Sequence, residues 1–401
     1  VDFMDITAAG AASPFTGVSL GDCGGNTNIT TDAPVAQTWT NTSGSTWSTA
    51  SNWTSRVPLP QDDVSFGTIN SGQTITVDMP RMGKNVSFAG ATNTVTVVMN
   101  SVDNSVGYSV FGSLNFSRVG TLTSSRYVFF RGRSNGSLIS NGGYLNSVYI
   151  QMPGAEFTFE DAFQQTGANL INVNNGTLNV ESTVDTYRLT SSTGTTVNMG
   201  NNTWIAHGAT TTWQAANGTI NAQGSTIAFT GTSGTQSCVM GVNTYNNITI
   251  APSSYDLTFS NSFTFANMTM SSAGTKTVRF NDLYDYTMTG SNFLSGTSGN
   301  VVTINSDDGT NTFDLIKTSG AIVADYVNVN RSAASGGATF YLTANSTQTN
   351  CTGWTTSGSG NIKTISAAGG NWDATTAWNE GAVPVAGDRV FGLASSGNLA
   401  V

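Results

Sequence analysis

Apolar and polar residues alternate along most of this chain, a period of two that marks strands with one face buried and the other in water. From Val64 the runs read VSFGTI, QTITVDM, KNVSFAG and NTVTVVM, separated by Gly, Asn and Ser. The pattern continues to about residue 350, through GTLNV (176–180), GTTVNM (194–199), NGTINA (217–222), GSTIAF (224–229), NNITI (246–250), YDLTF (255–259) and KTVRF (276–280). The short spacing between runs fits a sandwich, a barrel or a β-helix. Three features favour the right-handed parallel β-helix. The runs lack the two-residue Asn-Gly or Asp-Gly hairpin spacing of a meander. Asn, Ser and Thr crowd the strand ends, where they can stack on equivalents in the next coil. The strand count exceeds what one compact sandwich holds. The expected fold is therefore an all-β solenoid with very little helix, and at ~4.8 Å per coil roughly 280 residues would build a rod of about 60 Å.

One stretch of this pattern returns. Thr46 to Phe66 reads TWSTASNWTSRVPLPQDDVSF, and from Asn371 the chain reads NWDATTAWNEGAVPVAGDRVF. Trp372 stands 325 positions after Trp47, as Trp378 does after Trp53. With one residue inserted, Pro384 matches Pro58, Asp388 matches Asp62 and Val390 matches Val64. Upstream, VDFMDI at Val1 reads like ADYVNV at Ala324, and Cys23 lies in the neighbourhood matched by Cys351. Recurrence at a fixed period is the mark of arrays and fibres. The chain thus reads as one period plus the start of the next: closing strands of a preceding repeat over 1–30, a connector and Trp-containing cap or joint over 31–66, a β-helical rod over 67–354, and a connector into the next repeat over 355–401. Between the tryptophans a single helical turn or compact loop is expected, and Val57-Pro58 then fixes an extended entry.

Composition narrows the setting. Charged residues are 9% of the chain, so the polar surface must be built from hydroxyls and amides. The net charge of −9 argues against a nucleic-acid partner, and no apolar run approaches the ~20 residues of a membrane-spanning helix. VDFMDI carries no visible targeting signal. Three cysteines, Cys23, Cys238 and Cys351, make no disulfide framework and read as buried thiols or a bridge.

From Tyr245 to Trp354 the wording is YNNITIAPSSYDLTF, then LSGTSGNVVTINSDDGTNTFDLIKTSG, then ADYVNVNRS, SGGATFYLTANS and a terminal TGW. This resembles repeats of large phage virion structural proteins and bacterial surface proteins. The Trp segment resembles the opening of autotransporter-type β-strand repeats, of the form W, NW, VP, D-x-V. Together the two cover about a third of the chain. The resemblance implies an elongated, β-helical module on a cell surface or virion. Asn350-Cys351-Thr352 departs from the pattern, where Gly or Asn usually precedes Thr-Gly-Trp.

Candidate chemistry is sparse. His207 is the single histidine, which excludes two-His metal spacing, and it reads as a solvent or turn position. The acids Asp62-Asp63, Glu160-Asp161, Asp307-Asp308 and the pair Asp282 and Asp285 are scattered, and adjacent strand residues face opposite ways. NSDDGTN around Asp307 reads as a plain turn, with Ca²⁺ as the alternative. RYVFFRGR holds Arg126, Arg131 and Arg133 around three aromatics, with Tyr127 and Phe129 facing one way and Val128 and Phe130 the other. That suits a strand packed on both faces, touching a neighbouring subunit or an acidic glycan. Fourteen Asn-x-Ser/Thr triplets allow glycosylation without predicting it.

The leading expectation is a structural, non-enzymatic module of an extracellular or virion fibre, partnered by copies of itself. Its Trp47, Trp53 and Pro58, with Trp372, Trp378 and Pro384, would form the cap or joint between units. A glycan-binding adhesin or receptor-binding fibre, using Arg131 or a surface Trp213, is the alternative. A β-helical polysaccharide-degrading enzyme ranks last.

Overall fold

The computed structural model describes residues 1–10, 13–356, 362–379, 381–384, 388–392 and 397–400. The fold is an all-β solenoid with about 16 turns among the described residues. Helix is confined there to two three-residue 3₁₀ turns, Ala50–Asn52 and Thr375–Ala377. Two compact units are present: Val1–Ile205 with Asn217–Gln223, and Ala206–Ala216 with Gly224–Val401.

In the first unit each strand lies parallel on the strand one turn earlier. Tyr108–Val110 pairs with Val128–Phe130, which pairs with Val148–Ile150, which pairs with Ile171–Val173. These steps are 20, 20 and 23 residues, the coil length that the alternating runs imply. Burial follows the period of two: Val95–Met99 alternates buried and half-buried positions along its whole length. Inward rings stack from coil to coil, with Phe66 on Phe88 at 4.0 Å and Phe130 against Phe157 at 4.0 Å. Such stacks bury a large aromatic area with little side-chain entropy cost. On the outer face Asn198 donates to Asn179 at 2.6 Å and Asn221 to Asn198 at 2.7 Å, the amide ladder expected from the Asn content.

The second unit repeats the scheme. Lys276–Phe280 pairs in parallel with Val302–Ser306, and Val302–Asn305 with Val327–Asn330. Phe280 stacks on Phe259 at 5.5 Å and on Phe313 at 4.8 Å. Asn267 donates to Asn247 at 2.9 Å. Trp213, expected at the surface, is fully buried, its ring at 74° to Tyr245 and its indole N–H donating to the Tyr245 hydroxyl at 3.2 Å. Thr212 is buried as well: the ladder to Ser237–Val239 shifts register between Thr211 and Trp213, and the alternation breaks there.

The coil at each end of the recurrence is the same structure, with equivalent positions 325 or 326 apart, which corrects the sequence pairing. Asp2 faces Gly21 as Asn328 faces Thr347, and Phe15 faces Ile29 as Phe340 faces Trp354. Left-handed residues recur in step: Asp5 with Arg331, Gly25 with Asn350, and Asn28 with Gly353. At Gly353 an added Cβ would lie 1.8 Å from the Ala334 carbonyl oxygen, so the turn needs glycine there. VDFMDI therefore corresponds to the stretch beginning at Val327, three residues later than wording alone indicates. Cys23 and Cys351 are not equivalents. Cys351 occupies the place of Asn26: its sulfur accepts from the Ser332 N–H at 3.5 Å and donates to the Val329 carbonyl at 3.5 Å. Asn26 makes the same two contacts, to Ile6 N–H at 3.1 Å and to the Phe3 carbonyl at 2.9 Å.

Candidate functional site

The Trp segment folds as a closed aromatic cluster. Thr46 to Trp53 makes a tight loop whose 3₁₀ turn ends when the Trp53 N–H bonds the Ala50 carbonyl. The turn places Trp53 against Trp47, rings 4.8 Å apart at 67°, and its indole N–H donates to the Trp47 carbonyl at 2.7 Å. A third tryptophan, Trp39, meets Trp53 edge-on at 5.1 Å and 88°. It lies in the connector-and-cap segment 31–66, where Gln37–Trp39 is a strand paired with Val64–Phe66. Its signal was the apolar Trp39 spaced from Gln37, masked by the surrounding Thr and Asn. Phe66 lies within about 6 Å of all three rings.

Polar groups pin this cluster. Asn52 is buried, donates to the Thr46 carbonyl at 2.7 Å and accepts from Asn41 at 2.6 Å. Asp62 is fully buried and takes four hydrogen bonds: from Arg56 Nε at 2.9 Å and Nη2 at 2.7 Å, and from the N–H groups of Val35 at 2.8 Å and Leu59 at 2.9 Å. Pro58, also buried, leads into that bend. Trp47 and Trp53 are at most 4% exposed, so neither offers a ring face to a sugar.

The later copy rebuilds the motif. Trp372 and Trp378 lie 5.0 Å apart at 85°, and the Trp378 indole donates to the Trp372 carbonyl at 3.0 Å. Lys363 faces Val390 as Gln37 faces Val64, so Val390 takes the place of Val64. Trp378 is buried, whereas Trp372 is 38% exposed. In the first copy the strand Thr74–Thr76 runs beside Trp47, whose N–H bonds the Thr76 carbonyl at 2.9 Å. Pro384 is half-buried.

The three arginines are used within the chain. Arg126 Nε donates to the Val102 carbonyl at 2.7 Å. Arg131 lies 4.1 Å over the Phe129 ring and donates to Ser109 and Gln151, each at 3.0 Å. Arg133 pairs with Asp5, and Arg81 pairs with Asp2 at 2.6 Å, so these cations fasten the first coil. Val128 and Phe130 face inward, opposite Phe129, which stacks on Tyr149 at 4.8 Å. The second packed face is thus supplied by the chain's own next coil.

The acids serve turns. Asp308 accepts from the Thr310 N–H at 2.7 Å and the Asn311 N–H at 2.9 Å, which holds its carboxyl below the usual range. Asp307 accepts from Asn281 at 2.7 Å, and Asp161 from the N–H groups of Ser140 at 2.8 Å and Asn141 at 2.6 Å. Asn311 donates to both Asp282 at 2.8 Å and Asp308 at 2.9 Å, and among the described residues no group of three His, Cys, Asp or Glu side chains is arranged to hold a metal ion. His207 sits half-buried outside the strands. Cys23 and Cys238 are buried free thiols, pushed up to about 12 chiefly by desolvation; Cys351 is free and half-buried. A cavity of about 310 Å³ opens in the second unit beside Met270, Phe293, Val323 and Phe391, lined by apolar and hydroxyl groups without a charge.

No protein-family model matches the chain, and neither a curated protein nor a solved structure is similar to it.

Proposed function

We propose that this chain is one period, with flanking parts of its neighbours, of a structural fibre built from tandem repeats outside the cell or on a virion. One observation carries the reading: both the Trp cluster and the coil before it are built twice, with the same turns and ladders at a spacing of 325 to 326 residues. Duplicated coils that pair edge to edge give head-to-tail assemblies that do not close. A surface of hydroxyls and amides with few charges suits that setting. The partners are other repeats, and the Trp clusters mark where one repeat gives way to the next. Antibodies to the chain should decorate filaments on cells or virions of the source in immunogold micrographs; label confined to the cell interior would overturn the reading.

A second reading, a fibre that also binds glycans, draws on the outer strip of Tyr127, Phe129 and Tyr149 beside Arg131. Half-exposed Tyr127 and Tyr149 are the available ring faces. Binding on a glycan array that disappears in Tyr149→Ala would support it. A polysaccharide-cleaving role gains no support from Asp62, Asp161 and Asp308, whose carboxylates are held by Arg56 or by backbone N–H groups.

A further inference from the structure

We propose that Arg131, framed by Ser109, Gln151 and the rings of Phe129 and Tyr149, is the carboxylate-reading position of a binding site for acidic saccharides on the first unit. The inference rests on the glycan-binding reading and names the class of glycan. It starts from a cation without a counter-charge. Arg131 is half-buried, and among the described residues no Asp or Glu pairs with it, whereas Arg56, Arg81, Arg133 and Arg279 each have such a partner. The ionisable group beside it is the Cys23 thiol, which burial keeps protonated at neutral pH. Desolvation also holds the guanidinium below the usual arginine range. A cation partly withdrawn from water gains most from an anion that completes its hydrogen bonds.

The guanidinium is also held still. Its Nε donates to Gln151 Oε1 and its Nη1 to Ser109 Oγ, each at 3.0 Å, and Cζ lies 4.1 Å over the Phe129 ring. Gln151 is steadied in turn by donating to Asn174 Oδ1 at 3.5 Å. Nη2 meets no acceptor among the described residues. A fixed fork with N–H groups left over is the geometry that a carboxylate takes. The rings stand at the right remove. Tyr149 faces Phe129 in the ladder, and Gln151 follows Tyr149 at the next half-buried position of the same strand. Two residues of strand set the ring row about 6.6 Å from the Arg131 row. A pyranose ring laid on half-exposed Tyr149 and Tyr127, themselves 5.3 Å apart, thus brings its exocyclic carboxylate to Arg131. A small free acid would use the cation and leave the rings bare, and a neutral sugar would do the opposite.

The test is an array of carboxylated saccharides printed beside their carboxyl-reduced counterparts, which keep the rings and lose the charge. The native chain should hold at least one acidic member tenfold or more tightly than its reduced partner, and added salt should narrow that gap. Arg131→Gln should abolish the preference and leave the weaker binding of the reduced form unchanged. The comparison of acidic with reduced forms on the native chain decides the matter without any variant. Equal binding of the two forms, or a preference that survives Arg131→Gln, would overturn the proposal and leave a fibre that binds neutral glycans. Absence of binding to every member, neutral and acidic, would overturn the glycan-binding reading along with it.

Discussion

Cys351 takes a hydrogen bond from the Ser332 N–H and gives one to the Val329 carbonyl, the pair of contacts that the Asn26 amide makes in the other copy. Sulfur is the weaker partner in both directions. The departure from the repeat wording at Asn350-Cys351 is therefore a substitution within a backbone-bridging position. Of the three thiols, Cys23 and Cys238 combine burial with raised pKa values of about 12, so at pH 8 they hold few thiolates. A thiol reagent on the native protein should label Cys351 alone at an early time, with the others reacting only after denaturation; early labelling at Cys238 in mass spectra would contradict the buried placement. Lys276 is a different kind of residue-scale feature. It is 3% exposed and faces Gln236 Oε1 at 3.4 Å inside the second unit, and desolvation holds its ammonium below the usual lysine range. A lysine with a depressed folded pKa destabilises the fold at neutral pH, and the penalty fades as pH rises toward the unfolded value of about 10.4. Lys276→Met should raise the thermal midpoint at pH 7 and flatten the rise in stability between pH 7 and 10. A lower midpoint at pH 7 would show that the charge is well compensated.

The strands themselves were legible because each is a local alternation, and a period of two fixes which side chains face the core. Asn ladders were legible for the same reason, since coil stacking aligns like residues at Asn179, Asn198 and Asn221. What escaped was non-local. The pairing of VDFMDI was read from word likeness, whereas the ladder Asp2–Gly21 and the left-handed Asp5 set the true register. Arg131 and Arg133 looked available because their partners Gln151 and Asp5 lie a coil or more away in sequence. Trp39 looked like connector because its neighbours are Thr and Asn, and only the ladder to Phe66 places it in the cluster. The cluster also has a mechanical consequence. Trp53 touches Trp39, Trp47 and Phe66, and its indole holds the Trp47 carbonyl. Trp53→Ala should cost about 3–5 kcal/mol, the range for emptying a large aromatic site. Urea unfolding followed at the first unit reads this, and a loss under about 1 kcal/mol would mean the loop collapses to fill the space.

At the scale of the molecule, repetition is the governing feature. Each coil gains its stability from its neighbours, so a solenoid tolerates length but penalises an uncovered end. The coil that carries Thr339–Leu342 shows the covered case, with Phe340 1% exposed beneath its neighbours. The most direct test is particle length measured by electron microscopy on chains carrying one, two and four copies of the 326-residue period. A constant increment per added copy, with no bend or gap that varies from particle to particle at the junctions, is the predicted result. Copies that appear as independently oriented beads, with no fixed increment, would contradict the claim that the repeats form one continuous fibre.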